Sequence, residues 1–143
     1  MALPAPSTED FWRQDQITFA DFVKLADTFD VLLFKCNSAS GSVIRTYTKC
    51  EFDHVAMVIR YGSEPDEVFI LESESANGVS IKRWSDYGDE PGNFYTKVVL
   101  RHLAWERPDE SIDILEQFIQ ETLGAEYSFS LQYLKHRQSV AVH

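Results

Sequence analysis

Apolar residues recur along this chain with two different periods. Phe19, Phe22, Val23 and Ala26 are spaced for one helical face, with Thr18 placed as N-cap and Asp21 in the first turn. This predicts a helix that ends near residues 27–28. Residues 30–35 form a short, almost wholly apolar run and read as a buried strand. Residues 37–42 carry turn chemistry, and residues 43–48 allow at most one or two helical turns. Residues 54–61 and 67–72 are the next two strands, separated by the Gly62 to Asp66 loop. Asn77-Gly78 then separates two strand-like runs, a hairpin signal because both residues tolerate positive φ.

Residues 79–84 alternate apolar and polar positions, 86–93 form a loop, and 94–103 are rich in β-branched and aromatic residues. Ile112, Leu115, Ile119 and Leu123 then mark one stripe of a helix that Asp109 caps and Gly124 stops. Residues 127–134 begin one more helix, and the rest of the tail shows no period. The order predicts an α+β fold, with helices flanking a curved antiparallel sheet or half-barrel of about five strands. Residues 1–17 read as a partly disordered leader and 18–143 as a single domain.

Composition narrows the partners. With 44% hydrophobic and 25% charged residues, the chain has a globular and not a disordered composition. A net charge of −10 argues against nucleic acid, which demands a basic face. No apolar run approaches the roughly 18 residues of a membrane-spanning helix, so no integral membrane segment is expected. Two cysteines, Cys36 and Cys50, make no disulfide framework, and residues 1–10 lack the pattern of a secretory signal. A cytoplasmic location is the expectation. No histidine pair has metal spacing and no glycine-rich phosphate loop occurs, so neither a cofactor nor a metal is called for.

His54 is the first candidate for chemistry, because it stands at the mouth of an apolar strand. A histidine there either bonds neighbouring backbone or serves as an acid–base group. Glu72, at the end of the run Val68-Phe69-Ile70-Leu71, is the second. A carboxylate in that place either meets a partner or emerges into solvent. If the two strands pair antiparallel with even-numbered residues opposite even-numbered ones, His54 and Glu72 share a face and Glu72 can orient the imidazole. The competing expectation is a cross-strand ion pair between Glu72 and Arg83. Neither cysteine has an evident helix behind it, and both read as packing residues or incidental thiols. His102, His136 and His143 read as structural or solvated. Phe11-Trp12 reads as packing back onto the domain.

The motifs Asp30-Val31-Leu32-Leu33-Phe34, Phe52-Asp53-His54-Val55-Ala56-Met57-Val58, Phe69-Ile70-Leu71-Glu72-Ser73 and Asn77-Gly78-Val79 resemble the circularly permuted branch of the NlpC-type papain-like superfamily. YiiX-like proteins are the nearer likeness and lecithin retinol acyltransferase the more distant one. Gly124-Ala125-Glu126-Tyr127-Ser128 looks like the family's Gly-x-x-Tyr segment. The resemblance spans about residues 18–135. It implies a permuted papain-like fold and a cysteine hydrolase or acyltransferase acting on amide, thioester or ester bonds. His54 matches the general base and Glu72 the residue that orients it.

The resemblance also places the nucleophilic cysteine last, at the start of a helix beyond Gly-x-x-Tyr, yet no cysteine follows Cys50. The expectation is therefore a domain without its cysteine-bearing helix, inactive by itself. The alternative is a pseudoenzyme or interaction domain. A peptide, acyl or lipid-like molecule is the expected occupant of the groove. Apolar surface left open beside His54 would favour a homodimer.

Overall fold

The computed structural model describes residues 16–87 and 94–127. Thr18 caps helix α1 (Phe19–Leu25) through a reciprocal capping box with Asp21. The helix ends at Ala26, short of residues 27–28, because that residue is already extended. Strand β1 (Val31–Cys36) follows. The turn expected at 37–42 is instead the start of a helix, α2 (Ala39–Thr48). Ser38 caps it by accepting from the Gly41 amide, so the turn-forming composition serves as a cap. Gly41 is buried, and a Cβ there would come within 2.7 Å of Asp53 Oδ2.

The remaining strands are β2 (His54–Ile59), β3 (Phe69–Glu74), β4 (Gly78–Arg83) and β5 (Tyr95–Arg101). A single 3-10 turn, Trp84–Tyr87, follows β4 where a strand end and loop were expected. Helix α3 (Asp109–Thr122) closes the described chain. Its cap is Pro108 and not Asp109, and no side chain bonds the first turn. Of the predicted stripe only Leu115 is buried, and Leu123 is exposed at the C-cap. The leader to residue 15, Phe11-Trp12 with it, and the further helix after Tyr127 lie outside the described residues.

The five strands form one antiparallel, open sheet in the order β4-β3-β2-β1-β5, so the architecture is α+β. Strand alternation divides its side chains between two faces. The even-numbered residues Leu32, Phe34, Ala56, Val58 and Ile70 pack with Trp84 and Tyr95 against Phe22 and Ala26 of α1. The odd-numbered residues Ile59, Phe69 and Leu71 pack with Met57 and Ile81 against Ile119 of α3. The β3–β4 connection is three residues long, and Gly78 takes φ +65° at its end. A Cβ at Gly78 would also strike the Ala125 carbonyl oxygen, where the chain after α3 bonds back to Val79.

Candidate functional site

The even-numbered face carries the site. In the β2–β3 ladder Ala56 faces Glu72 and Val58 faces Ile70, the even-to-even register that His54 and Glu72 require. That register follows from burial, because a slip by one residue would turn Val58 and Ile70 out of the core. His54 opens β2 opposite Phe34 of β1, whose ring centroid lies 5.5 Å from the imidazole. Asp53, just before it, points the other way. Its carboxylate accepts from the Cys36 amide at 3.0 Å and pairs with Arg45 of α2. This fixes the chain at the mouth of β2.

Glu72 lies within β3 rather than at its end, two residues before Glu74, and its side chain is 0% exposed. A carboxylate so placed needs donors. Among the described residues it has three, all from side chains. His54 Nε2 approaches Oε2 at 2.6 Å. The Tyr87 hydroxyl donates to Oε1 at 2.6 Å, and Lys82 Nζ pairs with Oε1 at 2.9 Å. Lys82 also bonds Glu74. Arg83, the competing candidate for Glu72, is on the opposite face, where it pairs with Glu64 and lies over the Phe69 ring.

Burial works to raise the Glu72 pKa, but the bonds from His54, Tyr87 and Lys82 outweigh it and hold the carboxyl at about 2. Burial works to lower the Lys82 pKa, but its bonds to Glu74 and Glu72 raise it instead. Burial and the charge of Glu72 raise the pKa of Tyr87 and of Tyr95, so both phenols stay protonated. Glu72 is thus an acceptor only, and the proton between it and His54 belongs to Nε2. In the neutral imidazole the free lone pair is then on Nδ1. With its side chain 19% exposed, His54 is half-shielded but not sealed off.

Cys36 ends β1 and packs at the margin of the same core, and α2 starts three residues later. A helix does therefore follow this cysteine, contrary to the sequence expectation. The placement still does not activate it. Its amide is committed to Asp53 and its carbonyl to Arg45. Burial raises the thiol pKa, Arg45 opposes this and Glu72 adds to it, so the thiol stays protonated. Cys50 is exposed beyond the C-terminus of α2. An apolar cleft of about 430 Å³ lies on the other side of the sheet, lined by Phe29, Met57, Trp105, Ile114 and Phe118.

Sequence reasoning brought His54 and Glu72 together and missed Lys82 and Tyr87. Lys82 had a signal, since it alternates onto the face of Ser80, which is directly opposite Glu72. Tyr87 had none, because the turn that carries it has no period. No helix among the described residues is long and apolar enough to cross a membrane. The chain matches no family model, and no curated protein matches it significantly.

Proposed function

We propose that this domain carries the base and the orienting residue of a papain-like acyl-transfer site, acting on an amide, thioester or ester bond. His54 is the base, through Nδ1. Glu72 orients it through Nε2. One observation carries this reading. A fully buried carboxylate accepts from Nε2 of a partly exposed imidazole, the contact by which an acid residue orients a general base. The resemblance described above supports it, as do the α+β architecture and the placing of both residues on adjacent inner strands. Neither Cys36 nor Cys50 is the nucleophile in this reading, so the thiol must be supplied to the site.

Supplying one is the test. Mercaptoethanol attacks p-nitrophenyl butyrate to give a thioester and release p-nitrophenol, and a base that removes the thiol proton accelerates it. General-base assistance predicts a thiol-dependent rate roughly tenfold or more above that of His54→Ala. Cys36→Ala and Cys50→Ala should match wild type. Equal rates for wild type and His54→Ala would refute the proposal. A binding-only domain is the second reading, favoured by the protonated state of Cys36. It predicts that equality.

A further inference from the structure

The two oxygens of Glu72 have separate tasks. Oε2 meets His54, while Oε1 takes both Tyr87 and Lys82. We infer that Lys82 and Tyr87 are positioning residues for His54: they occupy Oε1, turn Oε2 onto the imidazole, and balance the carboxylate charge. This inference rests on the base-and-orienter reading.

The argument is one of geometry and charge. A carboxylate with one partner rotates and shares its oxygens, whereas one with Oε1 saturated presents a fixed Oε2. Tyr87 is itself fixed, since its ring stacks on buried Trp84 with centroids 5.4 Å apart. Lys82 is held between Glu72 and Glu74. The groups that face the pair are Glu72 and Glu74 from β3, Lys82 from β4, Tyr87 from the 3-10 turn, Tyr95 from β5 and Cys36 from β1. Arg45 of α2 is engaged by Asp53. Tyr87, Tyr95 and Cys36 are neutral, because burial raises all three. The ionised set around the imidazole is therefore two carboxylates and one ammonium. Remove the ammonium, and two uncompensated carboxylates favour the imidazolium, which is not a base.

The experiment is the thiolysis assay on the whole chain, followed through the acid limb of its pH profile. Lys82→Met should lower the thiol-dependent rate about tenfold and move the acid limb to higher pH. Lys82→Arg, which keeps the charge and the donors, should recover most of the rate and restore the limb. Tyr87→Phe removes one oxygen and should lower the rate while leaving the limb in place. Folded Lys82→Met and Tyr87→Phe proteins with wild-type rate and limb would overturn the inference. If His54→Ala were still inactive in that case, the base assignment would survive. A wild-type rate in His54→Ala would instead remove the reading beneath it. Should Lys82→Met fail to fold, Tyr87→Phe alone decides, and an unchanged rate there overturns the inference.

Discussion

Among the described residues the carboxylates of Asp30 and Glu72 are buried completely, and each touches a histidine and a cation. Asp30, at the start of β1, accepts from the backbone amides of Asp27 and Leu103, from Arg107 Nη2 at 2.9 Å and from His102 Nδ1 at 3.0 Å. Glu72 accepts from His54, Tyr87 and Lys82, all side chains. The difference assigns their roles. The Leu103 amide and the Arg107 guanidinium, both more than 70 residues away, make Asp30 a tether, joining β1 to the connection that leads into α3. Its histidine is peripheral, with the His102 side chain 58% exposed. Glu72 joins no such segments through amides. Its bonds serve to fix side chains, the His54 ring among them.

The largest effect should fall on the tether. Arg107→Met strands the charge of Asp30, and breaking a buried pair from one side costs about 3–5 kcal/mol. Urea unfolding should show that loss, with the His54 imidazole resonances unchanged in the folded protein. A loss below about 1 kcal/mol would remove Asp30 from the role of tether.

Acid should act next, through Glu72. Its folded pKa of about 2 lies below the ordinary 4.5, so the unfolded chain takes up the proton first. The stabilisation is complete above 4.5 and is lost as pH falls from 4.5 towards 2. A shift of that size corresponds to about 3 kcal/mol. Unfolding curves of Glu72→Gln should be flatter than wild type over this window, and identical slopes would contradict the buried, donor-rich setting.

Tyr87→Phe should cost about 1–2 kcal/mol, since a bond to a charged acceptor is lost and Glu72 keeps two other partners. The smallest effect is expected from His102→Ala, below about 1 kcal/mol, because the His102 side chain is largely exposed and Asp30 keeps its other donors. If thermal melts ranked His102→Ala above Tyr87→Phe, the two carboxylates would have to exchange roles.

The contrast was half legible in the sequence. Val58 and Ile70 had to face one core, so their strands admitted a single register, and that register joined His54 to Glu72. The same alternation excluded Arg83 as the partner and selected Lys82, a step the sequence reading did not take. Helix α2 was hidden because Ser38 and Gly41 look like turn residues. They are respectively a cap and a close approach to Asp53, and the second is a tertiary fact. Asp30 looked like the polar edge of a strand. Only the fold brings Leu103 and Arg107 to it, more than 70 residues later. Tyr87 depends on a turn packed through Trp84, and no local pattern announces it.

The most direct test of the site is the protonation of His54, read by NMR with ¹⁵N-labelled histidine. The contact with Glu72 predicts a proton on Nε2, seen as a slowly exchanging, downfield N–H resonance coupled to that ring. The resonance should vanish in Glu72→Ala. A proton found on Nδ1, or an Nε2–H signal that Glu72→Ala leaves unchanged, would contradict the assignment of Glu72 as the residue that orients a base.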